Sequence, residues 1–306
     1  MTPSRRGLGY GAGAYLLWGL FPLYWPLLEP AGAVEILAHR IVWTVAVLAV
    51  LLATGGRWAR LLALRHDRRA VLLVPAAVLI GINWDVYIWA VNNGRVVETS
   101  LGYFINPLLT VLLGVLVLQE RLRRAQWLAI GLGAVAVTVL AINYGHPPWV
   151  ALTLAASFGF YGLCKKVSGV GAVESLAVET GVLFLPAVGY LAWLTAVGQS
   201  TFGHGPTLHL ALLVGSGPVT AVPLLMFGAA ALRLPLVTIG LIQYLAPVLQ
   251  FLCGVLVFHE SMPVVRWAGF ALVWIALVTL ALDGVRHHQQ QVTAVPATGL
   301  TVATAG

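Results

Sequence analysis

A chain of 306 residues that is 60% hydrophobic and 9% charged, with a mean hydropathy of +0.92, lies far from the roughly 25% charged residues of a soluble domain. This composition excludes a soluble domain and makes the chain a membrane protein. The formal charge of +7 invites an anionic partner, but its distribution along the chain orients the protein in the bilayer and calls for no nucleic acid.

Apolar stretches long enough to cross a ~30 Å hydrocarbon core as α-helix occur at 7–28, 34–53, 70–92, 98–118, 124–141, 149–165, 174–197, 207–229, 236–258 and 263–282. They are continuous rather than alternating, so helices are expected and a lipid-facing barrel is not. Arg5 and Arg6 ahead of the first stretch mimic a secretory leader, but the stretch is long and others follow, so it reads as an uncleaved first span. With residues 1–6 inside, the basic residues after the even-numbered spans fall on the same side: Arg57, Arg60, Arg65, Arg68 and Arg69, then Arg121, Arg123 and Arg124, then Lys165 and Lys166, then Arg233 and Arg286. Only Arg95 and Arg266 fall outside, and Arg40 lies within a span. Ten spans with both termini cytoplasmic satisfy the positive-inside rule. Cys164 and Cys253 both lie in spans, so no external disulfide framework is expected. The tail, 283–306, lacks apolar periodicity and is expected to be disordered.

The chain also repeats itself at an offset of about 140 residues. "PLLTVLLGVLVLQERLRRAQWLAIGL" (107–132) lies over "PVLQFLCGVLVFHESMPVVRWAGFAL" (247–272) with ten identities in 26 positions, among them Pro107/Pro247, Gly114/Gly254, Glu120/Glu260 and Trp127/Trp267. Five spans per half is an odd number, so the second half, 149–282, enters the membrane in the opposite sense to the first, 7–142. Inverted repeats of this kind are common in secondary transporters, where one site near the midplane is exposed alternately to each side.

The polar residues inside spans mark where such a site would be. The offset sets Gly81 and Asn83 against "GSGPVTAVPLL" (215–225), so spans three and eight are both expected to break, at Gly81 and at Pro218 and Pro223. A simple proline kink is the alternative. Tyr103 and Asn106 share one face of span four, and the matching face of span nine carries Gln243 with Tyr244 beside it. These faces suggest a shared lumen, or else interhelical hydrogen bonds. Arg40 and Asp85 lie at similar depths, roughly 9 Å below the outer surface, which opens an intramembrane ion pair; the alternative is that Arg40 snorkels to Glu29 or Glu35. Glu179 is a candidate for a coupling proton or for pairing with Lys165 or Lys166. Asn83 and Tyr87 share a helical face and are expected to line the lumen, with Asp85 turned toward Arg40. Trp18, Trp84 and Trp89 are candidates to wall a cavity, and Glu120 and Glu260 read as interfacial anchors.

Enzyme signatures do not emerge. "GLGYGAG" (7–13) has no preceding strand, His259-Glu260 lacks the second histidine of a zinc motif, and no G-x-S-x-G occurs. No cofactor, metal or nucleotide-binding loop is expected, so energy would come from a proton or solute gradient.

Several stretches resemble a known group. "AHRIVW" (38–43), "GINW" with "IWAVNN" (81–93), "SLGYFINPL" (100–108), "ERLRRAQWLA" (120–129), "TAVPLL" (220–225) and "QYLAPVL" (243–249) look like the RarD-type proteins of the EamA family, in the drug/metabolite transporter superfamily. The resemblance implies ten helices in two inverted five-helix repeats around a central cavity, in a bacterial inner membrane. It also implies export of a small organic solute, in a group named for chloramphenicol sensitivity. It favours Asn83, Trp84, Tyr103, Asn106, Gln243 and Tyr244 as substrate contacts. The chain departs from the family pattern at Asp85, usually apolar there, and at Gln119 and His259, where the pattern has glycine. The competing readings are a lipid scramblase or resistance-modulating factor and, less favoured, an intramembrane enzyme.

Overall fold

The computed structural model describes residues 5–56, 58–119, 122–231, 233–234, 238–239 and 242–293, and every regular element among them is helical. In chain order these are α1 (Arg5–Leu20), α2 (Ala33–Thr54), the short α3 (Trp58–Ala63), α4 (Leu73–Asn92), α5 (Val96–Leu118), α6 (Arg124–Tyr144), α7 (Trp149–Ser168), α8 (Ala172–Ala196), α9 (Thr207–Ala231), α10 (Leu245–Leu252) and α11 (Val264–Thr293). Seven of them, α2, α4, α5, α6, α8, α9 and α11, are long and apolar enough to cross a membrane. The other expected spans take different forms. The first is α1 continued by two 3-10 turns, Phe21–Leu23 and Trp25–Leu28, the sixth is α7 with a shorter apolar portion, and the ninth is α10 extended by a π turn, Cys253–Val257. Pro22 and Pro26 account for the first: each lacks an N–H and fixes φ, so the chain continues only in short i→i+3 turns.

Two expected helix breaks are not there. α4 runs unbroken through Gly81, and α9 runs unbroken through Pro218 and Pro223. At Gly81 an added Cβ would make only an ordinary van der Waals contact, 3.4 Å from the Leu183 side chain of α8. A helix keeps its backbone bonds satisfied within itself, which is the dominant constraint in hydrocarbon, and proline is tolerated there when neighbouring groups compensate.

Helix packing in a bilayer depends on close fit rather than on escape from water. Gly217 of α9 faces the backbone of Trp43 in α2, where an added Cβ would lie 2.5 Å from the Trp43 carbonyl carbon. Gly102 of α5 approaches Ala151 of α7 in the same way, 2.9 Å from its carbonyl oxygen. A cluster containing Leu101, Phe104, Leu140, Phe251, Phe270 and Val273 joins α5, α6, α10 and α11. A second cluster joins the 3-10 turns, α2, α4 and α7 through Phe21, Trp25, Leu28, Ile36, Tyr87 and Ile88.

Carboxylates from distant parts of the chain close several helix starts. Glu260, after the π turn, accepts hydrogen bonds from Val96 N and from Val97 N (3.1 Å for the latter), at the start of α5. Glu98 accepts from Val150 N at the start of α7 (3.1 Å), and Glu35 accepts from Thr201 N (2.8 Å). These are N–H groups that a helix or turn leaves without an internal acceptor, and a negative charge suits that end of the dipole. Arg123, ahead of α6, pairs with Asp283 of α11 at 2.5 Å. Glu120, read as the symmetry mate of Glu260, lies outside the described residues. The expected disordered tail, 283–306, is helical at its start, because α11 continues through 283 to Thr293, and only its residues from 294 lie outside those described.

Candidate functional site

α2 carries Arg40 two turns below its start, and the side chain is buried, with 3% of the residue exposed. The guanidinium lies over the ring of Trp84 at 4.0 Å, with Trp25 at 5.2 Å and Phe21 at 5.9 Å. Its Nε donates to Thr220 Oγ1 of α9 at 2.8 Å, and that hydroxyl donates in turn to Ser216 O at 2.9 Å. The expected partner, Asp85, is not there, and no ion pair joins Arg40 to Asp85, Glu29 or Glu35 among the described residues. The reason is azimuthal. Trp84 faces Arg40, and the next residue along a helix is turned by about 100°, which takes Asp85 off that face. Asp85 is left half-buried, with Oδ1 lacking a hydrogen-bond partner among the described residues.

The residue before Trp84, the buried Asn83, ties α4 to α7 and α5. Its Nδ2 donates to Leu154 O and to Ser157 Oγ, both at 3.0 Å, and its Oδ1 accepts from Tyr103 OH at 3.1 Å. Tyr87 packs edge-on to Tyr103, with ring centroids 5.8 Å apart; it is buried, and its hydroxyl has no hydrogen-bond partner among the described residues. Tyr87 and Tyr103 both lie within electrostatic reach of Arg40. Arg40, Asn83, Trp84, Tyr87 and Tyr103 therefore form one contiguous polar and aromatic nucleus inside the bundle.

A model of the EamA-like transporter family matches residues 5–142. A protein RarD from Streptomyces exfoliatus is 58% identical over 98% of this chain and 95% of its own length. The chain belongs to the EamA family, in its RarD-type branch. An uncharacterized transporter from Pseudomonas aeruginosa is 45% identical over 92% of this chain and 95% of its own. One solved crystal structure superposes on 92% of this chain and 99% of its own at 20% identity, with a TM-score of 0.60, a likeness of fold. The chain is accordingly a multi-pass membrane protein with bacterial relatives named as transporters.

In this EamA protein the remaining candidate residues lie apart from the nucleus. Asn106 is partly buried, with Oδ1 unpartnered among the described residues. Gln243 is half-buried just ahead of α10, and Tyr244 packs against the Phe104–Phe251–Phe270 cluster. Trp89 lines a cavity with Glu29, Pro30 and Asn92 and lies 5.1 Å from Trp149, with Arg95 at 5.4 Å. Trp18 packs edge-on to Tyr15, and its carbonyl accepts from Gln250 Nε2 at 3.3 Å. Glu179 is buried and pairs with Lys165 at 3.2 Å while accepting from Tyr161 OH at 3.0 Å. Phe21, Trp25 and Thr220 escape sequence reasoning. Their signal was an arginine within a span, which demands partners from other elements. Two cavities of about 400 Å³ flank Glu29 and Pro30, one along Trp89 and Asn92, the other along Thr201 and His204, away from the nucleus. No cluster of three histidine, cysteine or carboxylate side chains is placed to hold a metal ion among the described residues.

Proposed function

We propose that the protein is a secondary-active transporter, an exporter of a small organic solute that works by alternating access of two inverted halves, 7–142 and 149–282. The observation that carries this reading is the pattern of helix contacts. The contact of α5 with α7 has its counterpart in α10 with α1, α4 with α7 in α9 with α1, and α2 with α9 in α8 with α4. The pairs α6 with α11, α2 with α8 and α5 with α10 are their own counterparts. Gln119 and His259, 140 residues apart, are the two non-glycine residues with positive φ among those described, at 56° and 52°. A shared backbone conformation at equivalent points supports a repeat of structure as well as of sequence.

The polar nucleus lies where the halves meet: Arg40 of the first bonds to Thr220 of the second, and Asn83 of the first to Ser157 of the second. Asn83, Trp84, Tyr87 and Tyr103 are the substrate contacts in this reading, with Asn106, Gln243 and Tyr244 lining the path as it opens. The basic loops then face the cytoplasm of a bacterial inner membrane, with both termini inside, and a proton or solute gradient drives the cycle.

Flux into proteoliposomes, screened over amino acids, nucleosides and amphenicol drugs with and without a proton gradient, tests the reading. Uptake or efflux of at least one solute is expected. Rapid lipid flip-flop with no flux of any solute would favour the scramblase alternative and overturn transport.

A further inference from the structure

Arg40 is a charge in search of a counter-charge. A cation this deep in a span costs ~2.5 kcal/mol or more, and such residues are retained where they face a pathway or a partner. Every neighbouring acid is already engaged or turned away. Glu35 accepts from Thr201 N and Ser200 Oγ, Glu98 from Val150 N, and Glu179 pairs with Lys165. Asp85, the residue after Trp84, is turned by about 100° from it around α4 and makes no ion pair with Arg40 among the described residues.

Of the five N–H donors of the guanidinium fork, only Nε has an acceptor among the described residues, Thr220 Oγ1. The rings of Trp84, Trp25 and Phe21 help to hold the charge through their π faces. They offer nothing to accept the remaining donors. Within electrostatic reach of the fork is the buried hydroxyl of Tyr87, without a hydrogen-bond partner among the described residues.

We propose that the Arg40 fork, with the Tyr87 hydroxyl, is the receptor for the carboxylate of a small organic monoanion whose apolar or aromatic body lies against Trp25, Trp84 and Tyr103. The charge count selects a monoanion. Among the described residues, Lys165 is neutralised by Glu179 and His39 is stacked on Phe202 at 4.7 Å, so neither offers the fork a second cation to hold a phosphate dianion. The planar fork matches a carboxylate through two parallel hydrogen bonds. The inference names the substrate class of the transport reading and rests on it.

Equilibrium binding to the full-length protein in lipid nanodiscs tests it, with benzoate and phenylacetate set against benzamide and phenylacetamide. Each acid is expected to bind about tenfold or more tighter than its amide, the scale of a charge-assisted bidentate pair. Arg40→Gln should erase that preference, and Arg40→Lys should keep it in weakened form. Acid and amide binding alike, absence of binding by any of the four, or a preference that survives Arg40→Gln would overturn the proposal. The comparison on the unmodified protein stands even where the Arg40 variants fail to fold. Flux of the same four probes separates the two readings. An acid preference in binding without any flux would strike transport and leave the receptor. Flux of neutral solutes with no acid preference would do the reverse.

Discussion

Replacing Gln119 and His259 by glycine should stabilise the protein. Both residues hold left-handed backbone, and both side chains are exposed, so packing returns little for the strain. That conformation costs an L-residue about 1–2 kcal/mol and glycine almost nothing. Glycine in turn gives the unfolded chain extra freedom, worth about 0.4–1 kcal/mol. The difference is about 0.5–1 kcal/mol per site. The two sites close different connections, α5 to α6 and α10 to α11, so their effects should add to about 1–2 kcal/mol. For a chain this long that is a rise of roughly 2–4 °C in melting temperature, read by loss of helical circular dichroism in detergent. Gly94→Ala and Gly145→Ala form the reciprocal control. Their φ values are 64° and 71°, and an added Cβ meets no atom within 4 Å, so any loss there comes from backbone alone. A double glycine variant that melts at or below the parent, while both alanine controls lose stability, would refute the strain argument.

Three further perturbations follow from the packing. Gly217→Ala should push α9 off the Trp43 backbone and stretch the bond from Arg40 to Thr220, costing about 1–3 kcal/mol as an overpacked contact; an unchanged melting temperature would contradict the close approach. Asn83→Leu removes three interhelical hydrogen bonds, at ~0.6 kcal/mol each and seldom above ~1.7, so a loss of about 2 kcal/mol is expected in the same assay, and no loss would mean that those bonds are not formed. Glu260, outside the spans, has its carboxyl held above the ordinary glutamate range chiefly by burial, against the opposing pull of the Val97 and Val96 N–H groups and Arg266. A raised acid favours the folded state most at low pH, and that advantage fades as pH climbs from the ordinary value through the raised one. The stability of the parent minus that of Glu260→Gln should therefore fall across that window, and a difference that rises with pH would contradict the assignment.

The contrast between what was legible in the sequence and what was not follows from the range of the interactions. Hydropathy and the basic loops act within one span and its flanks, so they announced a helical membrane protein and the approximate limits of α2, α4, α5, α6, α8, α9 and α11. An arginine inside a span announced that something buried must attend it. Which residue attends it depends on the rotation of α4 against α2, and an error of one position, Asp85 for Trp84, exchanges an ion pair for an aromatic cradle. The same limit hid Thr220, which lies 180 residues away in sequence. Gly81, Pro218 and Pro223 misled for another reason: composition marks where a helix can yield, whereas the bilayer decides whether it does. Asn83 and Tyr87 share an inward helical face, as their spacing implies, yet the partners of Asn83 on α7 follow from helix docking alone.

The cap that Glu260 places on α5 has a consequence for how the protein is made. Val96 N and its acceptor are separated by 164 residues, so a ribosome working at about 5–20 residues per second delivers the cap roughly ten to thirty seconds after α5 has emerged. Through that interval the start of α5 must rely on water or on lipid headgroups for its hydrogen bonds. Docking of the last helices is thus the event that finishes a helix from the first half, and a nascent chain arrested before residue 260 should leave the start of α5 open to amide exchange that the complete chain resists.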